Sequence, residues 1–290
     1  MEKETIEKYL LAGKIGKEAL QLASTLIEPG SKLFDVAEQV EGYIRKNGAE
    51  PAFPLNLSIN NEAAHYTPFF GDKKAFRTGD VVKVDIGAHV DGYMSDNAMT
   101  VEVGGKGEYS DLIDSTREAL NNAISITRPG QKLREIGKMI EKTIMSHGYQ
   151  PVRNLGGHGI DRYDLHSSIF IPNYDDKNEK TLSPGIAIAI EPFASTGVGL
   201  IHDSGGGNIY ILSGTKPRQD EIIYRNFRTA PFAERWLHGK VDNPDTYLRG
   251  MIRSREVSQF AVLKEHKGAC VAQSEHTLLV LPDKIMVTTL

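Results

Sequence analysis

Five side chains of the types that ligate divalent metals are spread along the sequence: Asp85, Asp96, His158, Glu191 and Glu275. Carboxylate oxygens with one imidazole suit Mn, Fe, Co or Zn, and carboxylates that can bridge suit a pair of ions. Taken singly, each residue also has a purely structural explanation, such as a turn aspartate, a loop histidine or an edge-strand charge. Their joint pattern favours a metal centre.

Two strands with period-two alternation carry Asp85 and Glu191, each six residues after a glycine. In both strands the apolar residues share one face and leave the carboxylate on the other: Val82, Val84 and Ile86 in the first, and Ile186, Ile188 and Ile190 in the second. A carboxylate that ends a buried strand is costly unless its charge is compensated, and a divalent cation compensates it strongly. This pattern makes metal ligation the hypothesis to test.

An internal repeat relates the two strands. Residues 18–51 recur without a gap at an offset of 100, with identities that include Pro29-Gly30 and Pro129-Gly130. Each copy predicts a helix, a Pro-Gly break and a second helix that ends near a glycine. A histidine precedes each strand at a similar offset, His65 in the first half and His166 in the second. We therefore expect two α+β halves, related by a pseudo-twofold axis, that meet at a central cleft.

The three other candidate ligands lie where the chain turns or enters a strand. Asp96 follows Asp85 by eleven residues, and a hairpin turn at 89–93 would place the two side by side. His158 lies among glycines, which permit close approach of the backbone to a ligand. Glu275 leads into the apolar strand at 278–280.

Five segments in order resemble the type II methionine aminopeptidases, and the resemblance covers nearly the whole chain: AAHYTP at 63–68, KVDIG at 83–87, GHGI at 157–160, AIEPFA at 189–194 and AQSEHT at 272–277. The resemblance implies an α+β pita-bread fold in a single catalytic domain over 1–290. It also implies a helical insertion at about 202–266, a segment in which the residues themselves predict short helices near 230–237 and 247–252. Whether that insertion forms a wall of the substrate pocket or a packed surface subdomain stays open.

The resemblance also implies a role for each site residue. Two divalent ions (Co, Mn, Fe or Zn) would be held by Asp85 on one side, by His158 and Glu191 on the other, and by Asp96 and Glu275 as bridges. His65 and His166 would contact the substrate amide and stabilise the tetrahedral intermediate. The methionine side chain would lie near Phe53, His65, His166 and Leu165.

The activity that this likeness implies is removal of the N-terminal initiator methionine from nascent proteins, with a preference for a small second residue. Glu191 would carry a proton from an activated water to the leaving amine. An Xaa-Pro-type aminopeptidase on the same fold is one alternative, although such relatives usually carry an additional amino-terminal domain that some 50 residues before Pro51 cannot supply. A non-catalytic ribosome-associated or protein-binding homologue is another, although such proteins tend to lose ligands.

Composition excludes several other classes. The formal charge is −4, from 34 Lys and Arg against 38 Asp and Glu, without a block of like charges. We therefore expect no direct nucleic-acid binding, while a transient ribosome contact stays open. The amino terminus lacks the apolar core of a secretory signal and the apolar runs are too short for a bilayer span, so we expect a cytoplasmic protein without membrane association. We expect a monomer, although nothing in the sequence determines the oligomeric state. Cys270 is the only cysteine, which excludes an internal disulfide and a thiolate zinc site, and we expect it to be buried.

Overall fold

Helices and strands alternate in two similar runs along the chain. The computed structural model describes residues 1–213 and 222–290. Its α-helices are α1 (Lys3–Leu26), α2 (Leu33–Lys46), α3 (Ser110–Ile126), α4 (Leu133–Ser146), α5 (Ile222–Phe227) and α6 (Pro244–Arg253), with a 3-10 helix, η1, at Glu234–Leu237. None of the helices in these ranges combines the length and the apolar character that a membrane span requires.

Eighteen short strands complete the described secondary structure. They are β1 (Glu50–Pro51), β2 (Asn56–Ile59), β3 (Glu62–Ala64), β4 (Val81–Ile86), β5 (Ala88–Val90), β6 (Tyr93–Met94), β7 (Asn97–Glu102), β8 (Gln150–Pro151), β9 (Gly156–Asp161), β10 (Asp164–Pro172), β11 (Ile186–Ile190), β12 (Phe193–Ser195), β13 (His202–Leu212), β14 (Phe232–Ala233), β15 (Val257–Lys264), β16 (Val271–Gln273), β17 (His276–Val280) and β18 (Ile285–Val287).

The internal repeat folds as two matching helix pairs, as predicted. Helices α2 and α4 begin and end 100 residues apart. Each Pro-Gly break places its glycine in the left-handed region, with φ of 90° at Gly30 and 78° at Gly130, which favours glycine. The amide of Gly30 donates to the Phe76 carbonyl, and that of Gly130 donates to the Leu182 carbonyl, each at 2.8 Å. Equivalent hydrogen bonds therefore tie each helix pair to its own half.

The two strands that carry Asp85 and Glu191 are interior strands of separate antiparallel sheets. Strand β4 lies between β2 and β7, and β11 lies between β9 and β17. The apolar face of β4 is buried in a core with α1 and α2, while residues of β11 are buried with α3 and α4. The predicted alternation is confirmed, and Cys270 is buried in the second core, as predicted.

The sheets of the two halves join beside Asp96 and Glu275. The Glu275 amide donates to the Ala98 carbonyl at 3.0 Å. The Asp96 amide donates to Thr277 Oγ1 at 2.7 Å, and the same hydroxyl donates to the Asp96 carbonyl at 2.7 Å. These bonds fix the backbone of both acidic residues at the seam between the halves.

The segment 202–266 has more strand than the sequence predicts. Strands β13 and β15, toward the two ends of this segment, pair with each other antiparallel. Residues 214–221 lie outside the described ranges. The helix expected near 230–237 is wrong over its first part, because β14 pairs with β13 there and only η1 is helical. The helix expected near 247–252 begins earlier, at Pro244, because proline fits the first turn and Asn243 Oδ1 caps the Thr246 amide at 3.0 Å.

His147 provides a test of how α3 and α4 are held together. Its Nδ1 lies 2.8 Å from Asp111 Oδ1 and its Nε2 lies 3.0 Å from Glu118 Oε2, and these carboxylates raise its pKa above 6.5. Since the folded pKa is raised, the stabilisation is present below pH 6.5 and is lost as the pH rises through the folded value. We expect an NMR titration of His147 to give a midpoint above 6.5 that falls in Asp111→Asn. A midpoint at or below 6.5 in the unmodified protein would contradict this arrangement.

Candidate metal centre

The five candidate ligands converge in one cleft. Asp85 lies in β4, Asp96 lies between β6 and β7, His158 lies in β9, Glu191 follows β11, and Glu275 lies between β16 and β17. His158 Nε2 is 3.5 Å from Asp96 Oδ2 and 3.8 Å from Glu191 Oε1. Possible ligand atoms of Asp96, His158 and Glu275 all lie within 4.8 Å of one another. Side chains from both halves thus surround one small volume.

Gln273 joins this group and was not predicted from the sequence. Its Nε2 lies 3.4 Å from Asp85 Oδ2, 3.3 Å from Glu191 Oε2 and 3.5 Å from Glu275 Oε2. A buried amide that donates toward three carboxylates ties together strands from both halves. The sequence did contain a signal, because Gln273 and Glu275 are two apart near a strand, a spacing that places side chains on one face.

Burial and mutual repulsion dominate the electrostatics of the centre. Burial raises the pKa values of Asp85, Glu191 and Glu275 well above the usual range, and the neighbouring carboxylates raise them further. Burial also raises the pKa of Asp96 to about 7. Four carboxylates in one water-poor cleft are unfavourable as anions unless cations neutralise them.

The donor atoms fit a bound metal. Asp85 Oδ1, Asp96 Oδ1 and Glu275 Oε1 are buried and have no hydrogen-bond partner among the described residues. Such orphaned acceptors each cost about 1–3 kcal/mol, and metal ligation would satisfy them. His158 Nδ1 lies 3.1 Å from the Gly159 carbonyl, which leaves Nε2 facing the carboxylates as a free lone pair. Burial lowers the pKa of His158 to about 4, so its imidazole is neutral and able to ligate.

His65 and His166 open on the same cavity as the carboxylates. The His65 ring packs edge-on against Phe260 at 5.2 Å, and the His166 ring lies 4.5 Å from that of His158. Burial lowers the pKa of His65 to about 4 and that of His166 to about 3. Both rings are therefore neutral at pH 7, and each has one N–H that can donate a hydrogen bond.

An apolar cavity of about 500 Å³ adjoins the acidic cluster. Phe53 and Leu165 line it. Ile209, Pro231 and Phe260, all from the segment 202–266, also line it. No motif or periodicity marks these three residues, because they reach the cavity only through the tertiary packing of that segment. The segment therefore contributes to the cavity wall.

Comparison with known proteins places this chain in a family. The family model for metallopeptidase family M24 matches residues 7–280. The chain belongs to metallopeptidase family M24. Curated relatives include the methionine aminopeptidases of Methanocaldococcus jannaschii, 42% identical with all of both chains covered, and of Pyrococcus abyssi, 43% identical with 98% of this chain and 99% of the relative covered.

A solved M24 structure agrees with this assignment. The methionine aminopeptidase from Thermotoga maritima superposes with a TM-score of 0.75 at 26% identity, over 100% of this chain and 98% of that one. The α+β pita-bread fold expected from the sequence is confirmed, and membership of a metallopeptidase family implies divalent metal ions at the site.

Metal removal tests the assignment of the cluster. We expect the protein loaded with divalent ions to unfold at a higher temperature than the chelated protein, because a ligand that binds only the folded state stabilises it. Asp96→Asn should lower the bound-metal stoichiometry and reduce that thermal shift, as measured by elemental analysis and calorimetry. Asp114→Asn, at a half-exposed side chain in α3, is the control and should behave as the parent protein does. Equal metal content in Asp96→Asn and the parent would remove Asp96 from the ligand set.

Proposed function

We propose that this M24 protein is a methionine aminopeptidase that removes the N-terminal initiator methionine from nascent proteins and prefers a small second residue. The observation that carries this proposal is the placement of a buried cluster of metal-binding side chains against an apolar cavity of about 500 Å³. The full-length relatives named methionine aminopeptidase favour this activity over an Xaa-Pro-type aminopeptidase or a non-catalytic homologue.

Substrate binding follows from the two parts of the cavity. The methionine side chain would pack against Phe53 and Leu165, which are buried beside the cluster. The free ammonium at the N-terminus of the substrate would lie toward Asp85, because the acidic cluster attracts a positive charge. The scissile carbonyl would then face His65 and His166.

The proposed ligands are Asp85, Asp96, His158, Glu191 and Glu275, which suit two divalent ions of Co, Mn, Fe or Zn. When bound, such ions lower the pKa of water and polarise the carbonyl of the substrate. Glu191 would accept the proton of the attacking water and deliver it to the leaving amine. His65 and His166, both neutral, would donate hydrogen bonds to the oxygen on which charge develops.

The wider setting is also proposed. The chain would act as a monomer in the cytoplasm on nascent polypeptides, without binding nucleic acid directly, and a transient contact with the ribosome fits this role. Residues 202–266 would form an insertion in a single catalytic domain. Its lining residues Ile209, Pro231 and Phe260 support a role in the pocket wall.

Glu191→Gln tests the proton transfer. The amide keeps the shape of the side chain and cannot carry the proton, so we expect kcat on a Met-Ala peptide to fall by at least about 10²-fold. The folded state should persist, as measured by circular dichroism and thermal unfolding. Glu108→Gln, at an exposed position, is the matched control and should retain full activity. Unchanged turnover in Glu191→Gln would refute the assignment.

A peptide panel tests the substrate class. We expect hydrolysis of Met-Ala-Gly and Met-Gly-Gly, weak hydrolysis of Met-Leu-Gly, and none of Ala-Pro-Gly, as measured by release of the free amino acid. Faster cleavage of Ala-Pro-Gly than of Met-Ala-Gly would instead support the Xaa-Pro-type alternative.

A further inference from the structure

The loop that carries His65 has a backbone conformation that its sequence does not favour. His65 follows β3 and has a φ of 66°, in the left-handed region. A residue with a side chain keeps such a conformation only when its surroundings enforce it. The chain segment 65–70, here called the His65 loop, must therefore be held by its neighbours.

Three residues of the segment 202–266 bind the His65 loop directly after the histidine. Asn208 Nδ2 donates to the Thr67 carbonyl at 3.0 Å. Arg235 Nη1 donates to Thr67 Oγ1 at 2.7 Å and to the Pro68 carbonyl at 3.0 Å. Glu234 Oε2 accepts from the Phe70 amide at 3.3 Å. The first half binds the other side of the loop, because Thr67 Oγ1 donates to the Leu55 carbonyl at 2.7 Å.

Arg235 is itself held rigidly. Its side chain is 0% exposed and forms an ion pair with Glu41 of α2, which is also 0% exposed. Glu41 further accepts from the Leu55 amide at 2.9 Å and from Trp236 Nε1 at 2.6 Å. A planar guanidinium holds its several N–H donors in a fixed geometry, whereas the ammonium of lysine lies on a flexible stem. Arginine therefore fixes the position of the groups that it binds more strictly. Such a buried pair contributes more to a unique geometry than to net stability in some proteins.

The same segment also contacts the ring of His65. Phe260 packs edge-on against it, with the ring centroids 5.2 Å apart. Residues of 202–266 therefore contact both the backbone of the His65 loop and the imidazole of His65.

We propose that Arg235, anchored by Glu41, is a positioning residue that holds His65 in its catalytic orientation through Thr67 and Pro68. The segment 202–266 then does more than line the pocket, because it fixes a group that acts on the reacting carbonyl. This inference rests on the role of His65 in the proposed function.

A double-mutant cycle tests the inference. Thr67→Val removes the hydroxyl that Arg235 contacts and keeps the side-chain shape. A small misplacement of a catalytic group is enough to lower the rate, so we expect kcat/KM on Met-Ala-Gly to fall by about tenfold or more, mainly through kcat, with metal content unchanged. In a His65→Ala background the same substitution should change kcat/KM by less than about twofold, because residues that act as one unit are not additive.

Two further variants serve as a control and as a replacement in the cycle. Thr143→Val in α4 is the matched control: Thr143 is also buried, its Oγ1 accepts from Asn122 at 3.2 Å, and it lies in the other half of the protein, so activity should be unchanged. If Thr67→Val does not fold, Asn208→Ala takes its place in the cycle, because it removes a separate hydrogen bond to the same loop.

The outcomes separate the inference from the proposed function. Equal losses from the loop substitution with and without His65 would overturn the positioning role while the aminopeptidase stands. Full activity of His65→Ala would overturn both the role of His65 and the inference built on it. Absence of Met-Ala-Gly hydrolysis by the metal-loaded parent protein would overturn the proposed function itself, and the inference with it.

Discussion

Four carboxylates lie in one cleft with a neutral histidine beside them: Asp96 and Glu275 are buried, and Asp85 and Glu191 are partly buried. Charges of one sign at such proximity repel each other, and burial prevents water from screening them. Three of the carboxylates each leave a buried oxygen without a hydrogen bond. Cations bound in the cleft would neutralise the repulsion between the carboxylates and would also ligate the unpaired oxygens. The requirement for positive charge therefore governs both the stability of this region and its chemistry.

The architecture assembles this cluster by bringing two similar halves together. Interior strands β4 and β11 each carry a carboxylate to the seam, and helix pairs α1–α2 and α3–α4 cover the apolar faces of those strands. The backbone bonds between Ala98 and Glu275, and the Thr277 hydroxyl at Asp96, then lock the halves in register. Asp85 and His158 lie within strands, and Asp96, Glu191 and Glu275 lie within two residues of a strand end, which suits a site whose donor atoms must keep fixed spacing.

The sequence predicts those parts of the architecture that local patterns determine. The repeat at an offset of 100 predicts both helix pairs, and period-two alternation places Asp85 and Glu191 opposite their apolar neighbours. Local patterns do not predict the position of residues that depend on long-range packing. Phe260 reaches the cavity only because β15 pairs with both β13 and β3, and Arg235 meets Glu41 across 194 positions of sequence. The helix expected over 230–237 was overridden at β14, since pairing with β13 there replaces local helical hydrogen bonds.

Anomalous X-ray diffraction from crystals of the metal-loaded protein shows whether the five side chains hold a pair of metal ions. We expect two anomalous peaks roughly 4 Å or less apart, both within ligation distance of Asp96 and Glu275. One peak should also contact Asp85, and the other should contact His158 and Glu191. Diffraction at the absorption edge that shows no peak between these side chains, or shows ions only at the protein surface, would contradict a two-metal site in this cleft.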